Sequence, residues 1–307
     1  ENFANMRTNG WELSVSWNDK INNVGGSPLM YSIGVGLADS YSTITKFDNP
    51  EGALNNYYEG KRIGEIWGYV TDGFIQDEAE AQRMATIQGD ISKTWKVGDI
   101  RYKDLDGVEG ITSAKTIYNT GDQKVIGNTT PRYSFNINAS ASWKGFDVRV
   151  FFEGIAKRDL WIDSPVFWGF PSNSNVWQSA VNDYHVDNSW SENNTNAYYP
   201  LPSYSGRSKQ TQTKYLQNGA YIRLKDLTIS YTIPKAWIST VGIEQLKVFA
   251  SGQNLWVGTK LFKYLDPDIV STRQSNSKDN KLVGNLTSDG KAYPFSRTFS
   301  FGINLTF

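Results

Sequence analysis

The sequence predicts an all-β fold: an antiparallel transmembrane β-barrel segment with long loops at one end of its strands and short turns at the other. Three observations carry this expectation. Apolar and polar residues alternate with period two in segment after segment. The connections between those segments alternate between short and long. The polar side of the alternation is built mainly from Ser, Gly, Asn and Thr, as if lining a lumen.

In chain order, "WELSVSW" places Trp11, Leu13, Val15 and Trp17 opposite Glu12, Ser14 and Ser16. "YSIGVGLAD" sets Tyr31, Ile33, Val35 and Leu37 against Ser32, Gly34, Gly36 and Ala38. "RYSFNINASASW" sets Tyr133, Phe135, Ile137, Ala139, Ala141 and Trp143 against a row of Arg, Ser and Asn. "FDVRVFFEG" places Phe146, Val148, Val150 and Phe152 on one face and Asp147, Arg149, Phe151 and Glu153 on the other. "LTISYTI" supplies Leu227, Ile229, Tyr231 and Ile233, and "LKVFASGQN" and the C-terminal "FSFGINLTF" complete about seven strands. Extended pieces at 60–75 and 97–105 suit an extra hairpin. In "AYIRLKDLTISYTI" the apolar phase is even at Ile222 and Leu224 and odd from Leu227. Either a bulge lies near Lys225–Asp226 or this half projects above the bilayer, where facing no longer matters. The clustering of Arg223, Lys225 and Asp226 favours projection.

The short connections are read at 18–28, 144–145 and 234–245, and the long ones at roughly 40–130, 156–218 and 257–295. All the long ones fall at the same end of the sheet. A soluble β-sandwich also alternates, but its outer face carries Lys, Glu and Thr. Trp17 and Trp143 are placed at the last strand position before a short turn, where an interfacial aromatic girdle lies. Reversing 146–153 would turn Asp147, Arg149 and Glu153 toward lipid, and a lipid-facing Arg costs roughly 2–4 kcal/mol at midplane. The membrane barrel is therefore the favoured pattern and the soluble sandwich or barrel its alternative.

Bulk properties narrow the function. The chain has 31 Lys+Arg and 31 Asp+Glu in 307 residues, with no basic run, which argues against a nucleic-acid partner. There are no cysteines, so disulfide and thiolate chemistry is excluded. No apolar run is long enough for a membrane helix, but a barrel's alternating strands average to low hydropathy. His185 is the single histidine, in "NDYHVDNSW", with no G-x-S-x-G elbow beside it. No carboxylate pair has a fixed separation. No catalytic residue is assigned, and the chain is read as a non-enzyme.

Two other clusters are candidates for binding. "DLDGVEGI" spaces Asp104, Asp106 and Glu109 in a way that suits oxygen ligation of Ca²⁺, with Asp122 further on; the plainer reading is a solvated acidic turn. The loop 157–206 is rich in aromatics and amides, among them Trp161, Trp168, Trp177, Tyr184, Trp190 and Tyr204. Such rings stack on sugars or peptide side chains, or they build the loop's own core.

Seven motifs in order resemble the C-terminal barrel part of a SusC/RagA-type TonB-dependent outer-membrane transporter of the Bacteroidetes. They are "NGWELSVSWND" (9–19), "GKRIGEIWGYVTDGFIQ" (60–76), "GDIRYKDLDG" (98–107), "VIGNTTPRYSFNINASASWKGFDVRVFFEG" (125–154), "YIRLKDLTISYTIP" (221–234), "VFASGQNLWVGTKLFKYLDPD" (248–268) and "YPFSRTFSFGINLTF" (293–307). The resemblance implies a barrel of about 22 strands with a plugged lumen. On that reading 1–307 is a fragment, with the plug domain and N-terminal barrel strands supplied by sequence outside it. It implies active import of oligosaccharides or oligopeptides across the outer membrane of a Gram-negative bacterium. The implied partners are a SusD-like surface lipoprotein acting as a lid, TonB through the N-terminal part, the remaining strands and plug, and membrane lipid. The family's acidic motif is Asp-x-Asn-Gly-Asp-Gly; here Val108 is inserted and Glu109 replaces the second Asp, which weakens the case for a metal. Phe307 resembles the terminal aromatic recognised by the barrel-assembly machinery. A soluble or surface-attached carbohydrate-binding β domain is the alternative function.

Overall fold

The computed structural model describes residues 4–172, 176–239, 242–270, 273–274, 286–288 and 293–307. The chain begins with two long strands, β1 (Ala4–Val24) and β2 (Ser27–Phe47). It then enters a loop region holding β3 (Glu65–Tyr69), β4 (Thr71–Phe74), helix α1 (Glu78–Ile87), β5 (Ile100–Tyr102) and β6 (Gln123–Asn128). Strands β7 (Arg132–Trp143) and β8 (Phe146–Lys157) return to the sheet. A second loop region carries β9 (Asp159–Ile162), α2 (Pro165–Trp168), α3 (Asp183–Asn188) and β10 (Gln217–Asn218). Then come β11 (Tyr221–Thr232), α4 (Lys235–Ile238) and β12 (Gln245–Thr259), short β13 (Arg273–Gln274) and β14 (Leu286–Ser288), and β15 (Thr298–Thr306).

One seven-stranded sheet runs in the order β1-β2-β7-β8-β11-β12-β15, each pair antiparallel and adjacent in sequence within the sheet. Up-and-down order with long connections at one end is barrel-wall topology. Register aligns the apolar positions into continuous rows. Trp17, Ile33, Ala139, Val150 and Leu227 share one row, and Tyr31, Ala141, Val148, Ile229, Ala250 and Phe301 another. Phe299, Phe301 and Ile303 are 65, 81 and 64% exposed, a face that no second sheet of the described chain covers. That face is the lipid side of the wall. Along β2 it runs from Leu29 to Leu37, about 27 Å of strand and about 21 Å of height at a barrel's usual tilt.

The opposite face is polar and closely fitted. A Cβ on Gly34 or Gly36 would lie 2.5 Å from the amide of Asn138 or Asn136. Asp147 accepts from Ser142 (2.5 Å) and from Lys247 (2.7 Å), which reaches across β11 from β12. This is a lumen-facing hydrogen-bonded surface, the small-polar row expected from sequence.

The register also corrects three expectations. The first short connection is not 18–28: β1 continues to Val24 and the turn is Gly25–Gly26, both with positive φ (56° and 86°), as a two-residue hairpin requires. Trp17 is therefore inside the strand, opposite Ile33, and only Trp143 holds the position before a turn. In β11 the register shifts between Leu224 and Asp226 against both neighbours. The phase change is thus a bulge at Lys225, not projection above the bilayer. The extra residue keeps Ile222, Leu224 and Leu227 on one face, with Leu224 opposite Phe152 and Trp256. The expected hairpin from 60–75 and 97–105 forms in part: β4 pairs with β5, but β3 pairs with β6.

Candidate functional site at the junction of lumen wall and loop cap

The three long connections fold into one cap with a common core. Ile66, Ile75, Ile100 and Ile111 from the first, Leu160, Phe167 and Tyr215 from the second, and Leu261 and Phe262 from the third are all buried together. Phe167 is an aromatic hub, with ring centroids 5.1 Å from Trp168, 5.5 Å from Tyr199 and 5.3 Å from Phe262. Edge-to-face geometry dominates, as the ring quadrupoles favour. Polar ties cross the same core. The Asp99 carboxylate accepts from Arg207 Nε (2.6 Å) and Ser208 Oγ (2.9 Å), and Tyr102 donates to the Arg207 carbonyl. Gln88, at the end of α1, bonds both Ile100 O and Tyr102 N. Gly98, the first residue of the "GDIRYKD" motif, has φ +87° and packs under Trp190, where any Cβ would lie 2.3 Å from the indole.

The cap is latched to the wall by an ionic cluster above the bulge. Arg223 pairs with Asp266, and its Nε lies 3.7 Å from Asp268; the side chains of Arg223 and Asp266 are 3 and 8% exposed. Lys225 bonds Glu153 of β8 at 2.6 Å and Asp268 at 3.3 Å, and Tyr221 donates to Asp268 at 2.9 Å. Phe295 lies under both cations, 5.2 Å from the Arg223 guanidinium and 4.8 Å from the Lys225 ammonium. Asp266 and Asp268 flank Pro267, whose fixed φ holds both carboxylates toward the wall.

Below this latch a cleft of about 390 Å³ opens on the polar face of the sheet. Glu12, Asn136, Phe151, Glu153, Tyr221 and Asp268 line it. Carboxylates, an amide, a phenol and an aromatic face in one concavity can bind the hydroxyls of a sugar or the amide groups and cationic side chains of a peptide. This set was not foreseen from sequence. The available signals were two charges inside an apolar strand, Arg223 and Lys225, and the acidic pair around Pro267.

The aromatic candidates divide by burial. Trp161, Trp168 and Trp190 are 3, 5 and 8% exposed and belong to the cap core; Tyr184 packs against it. Trp177 is 93% and Tyr204 38% exposed, so these two present rings to the outside. Their segment is pinned by Lys209, whose Nζ donates to the carbonyls of Phe170, Pro171 and Ser203 at 2.9, 3.0 and 2.6 Å. Burial pushes this ammonium down to about 8, with Asp163 opposing the shift. His185 is 1% exposed: its Nδ1 accepts from Asn182 N–H in a capping box, which leaves Nε2–H to donate to Phe167 O at 3.1 Å. Both nitrogens are engaged within the core.

Of the acidic candidates, Asp104 and Asp106 come together with Asp122, their carboxylate oxygens within 4.8 Å of one another, while Glu109 lies outside the group. Each carboxylate already accepts backbone amides. Gly107 donates to Asp104 and Val108 to Asp106, and Leu105 and Thr112 both donate to the fully buried Asp122. Asp122 organises this turn.

No family model matches the chain. It is 30% identical over 249 residues to TonB-dependent receptor P3 of Formosa agariphila, across 81% of this chain and 22% of that protein. The chain belongs to the TonB-dependent receptors. TonB-dependent receptor P26 of the same organism is 26% identical over 222 residues, across 69% of this chain and 20% of that one. This receptor chain thus spans about a fifth of the curated relatives it matches. Among solved structures, the RagAB peptide transporter covers 100% of the chain at TM-score 0.66 and 18% identity, using 30% of its own length. The closed-closed state of the RagAB peptide importer fits at 0.65. These structures share the receptor chain's fold: a wall portion of a barrel with its loops.

Proposed function

We propose that this receptor chain supplies wall strands and extracellular cap to an outer-membrane importer of the SusC/RagA type. The observation that carries the reading is the match of the whole chain, wall and cap together, to the RagAB peptide transporter. The polar inner face and the cleft beneath the latch support it, because both suit a hydrated passage. The imported nutrient is an oligosaccharide or oligopeptide. A SusD-like surface lipoprotein closes over the cap, with Trp177 and Tyr204 as contacts, and TonB acts through the N-terminal part of the complete receptor. The soluble carbohydrate-binding alternative is disfavoured by the uncovered row of Phe299, Phe301 and Ile303.

The same reading gives Phe307 the role of assembly signal. Replacing it with Asp should impair membrane assembly more than ligand affinity, and normal heat-modifiable barrel from that variant would count against the role. Ca²⁺ binding at the acidic turn is carried as a proposal on Asp104, Asp106 and Asp122, without Glu109. Calorimetric titration with Ca²⁺ that gives the same heat in wild type and Asp104→Asn would dismiss it.

Import is tested in cells carrying the complete receptor and its partner. Uptake of fluorescent oligosaccharide and oligopeptide libraries is compared with and without TonB. TonB-dependent uptake of one class supports the reading; uptake that survives loss of TonB overturns it.

A further inference from the structure

The cleft beneath the latch is built unevenly. On the lumen face one cross-strand row runs Glu12, Ala38, Ser134, Ile155, Tyr221. The next row toward the short turns runs Ser14, Gly36, Asn136, Glu153, Arg223. Ala38 and Ser134 are small, so the middle of the cleft is a floor. Glu12 stands on one side of it, and Glu153, Tyr221 and Asp268 stand on the other. From β1 to β8 is three strand spacings, about 14 Å along the sheet. An extended side chain fits across that span.

The far side is matched in charge. Lys225 bonds Glu153 and Asp268, and Arg223 pairs with Asp266. Arg158, with its donors on the Thr129 and Val270 carbonyls, adds a third positive charge near Asp268. Lower on the same face Arg149 and Asp226 are of opposite sign, and Lys247 bonds Asp147. Above the floor Arg132 gives Nε and Nη2 to Asp39. Glu12 is left over. Among the described residues no cation pairs with its carboxylate and no donor bonds it. Glu12 also lines the adjoining cleft of about 450 Å³, where the other charged group is again an acid, Asp39. A carboxylate recessed in a concave, low-dielectric wall focuses its field on the space before it.

The rest of the lining suits a cation carried on a stem. Ile155 and Phe151 offer apolar surface to methylene groups, and the Phe151 ring face attracts positive charge. The Asn136 amide lies over Gly36 with no partner among the described residues, free to bond a peptide group. An amino sugar carries its ammonium directly on the ring and has no stem to lay along Ile155 and Phe151.

We propose that this cleft takes the lysine or arginine side chain of an imported peptide, with its stem along Ile155 and Phe151 and its cation on Glu12. Glu12 is then a specificity-determining residue of the passage. The proposal rests on the importer reading and narrows its substrate to peptides with a basic residue.

The test uses the complete receptor in lipid discs and fluorescently labelled, end-blocked alanine-rich pentapeptides. Their central residue is lysine, arginine, norleucine or glutamate, and binding is read by anisotropy. Wild type should bind the lysine and arginine peptides about tenfold more tightly than the norleucine peptide, as for one charge-assisted contact. Salt should shrink that preference. Glu12→Gln should abolish it, and Glu12→Lys should shift it to the glutamate peptide. Heat-modifiable migration checks that each variant is a folded barrel. Equal or undetectable binding of the lysine and norleucine peptides by wild type, or an unchanged preference in folded Glu12→Gln, would overturn the proposal. So would tighter, Glu12-dependent binding of a glucosamine oligomer, which would assign the cleft to an amino sugar. Uptake of the same peptides separates this proposal from the importer reading. TonB-dependent uptake without preference for a basic residue overturns the role of Glu12 and leaves the importer standing. A Glu12-dependent preference in binding, with uptake that survives loss of TonB, does the reverse.

Discussion

Arg223 of β11 and Asp266 of the third long connection form a buried ion pair that joins the loop cap to the barrel wall. Breaking one partner of such a pair leaves an uncompensated charge, which typically costs about 3–5 kcal/mol. Arg223→Ala and Asp266→Ala should each release the segment around 260–270 to protease in the folded barrel. A double replacement by apolar residues of similar size should be milder than either single change. Wild-type protease resistance in Arg223→Ala would contradict the latch.

The bulge at Lys225 makes a separate prediction. Deleting Lys225 removes the extra residue, so Ile222, Leu224 and Leu227 keep the lipid face in strict alternation and Arg223 stays on the lumen side. The deletion also removes the Lys225 bonds to Glu153 and Asp268. Heat-modifiable barrel should therefore still form, while the segment around 260–270 becomes more open to protease, as in Lys225→Gln; loss of the barrel in the deletion alone would contradict this facing.

Gly98 combines a positive φ with contact against Trp190. Gly98→Ala should destabilise the cap by about 1–3 kcal/mol from backbone strain, with displacement of the indole in addition. Chemical unfolding followed by tryptophan fluorescence reads this directly. Trp190→Ala in the same background should relieve part of the loss, because it removes the clash and not the strain.

His185 gives the cap a pH dependence. Burial pushes its imidazole below the ordinary histidine value, against opposing hydrogen bonds to the Phe167 and Val166 backbone. The folded cap therefore binds this proton less readily than the unfolded chain. Its stabilising contribution is complete above about pH 6.5, the unfolded value. It falls as pH drops below that toward the depressed folded pKa. Protonation at Nδ1 would also replace the acceptor for Asn182 N–H with a donor. Proteolytic sensitivity of the cap should rise on acidification in wild type and change less in His185→Gln.

The wall was legible because membrane and lumen impose opposite demands on alternate residues. The period-two pattern of 133–143 and 146–153 therefore maps onto the observed rows residue by residue. Two kinds of feature were not. Strand ends above and below the apolar band lack that pressure, so the alternation places the end of β1 near Trp17 although the strand continues to Val24. A one-residue bulge looks in sequence like the end of a strand, and only register against two neighbours distinguishes them. The cap resisted reading for a third reason. Its core joins residues such as Ile66, Tyr215 and Phe262 from three separate connections, and no local periodicity records such contacts. For the same reason the aromatic residues of 157–206 gave no sign of which are core and which are surface.

The chain has no cysteine, so once any cysteine elsewhere in the complete receptor is replaced, a single introduced Cys carries a spin label at a chosen wall position. The most direct test places labels one at a time along 146–153 in the complete receptor in lipid discs and measures collision with oxygen and with a water-soluble nickel chelate. The lipid-facing wall predicts that oxygen accessibility peaks at 146, 148, 150 and 152, and chelate accessibility or burial at 147, 149, 151 and 153. High chelate accessibility at both sets of positions would contradict it.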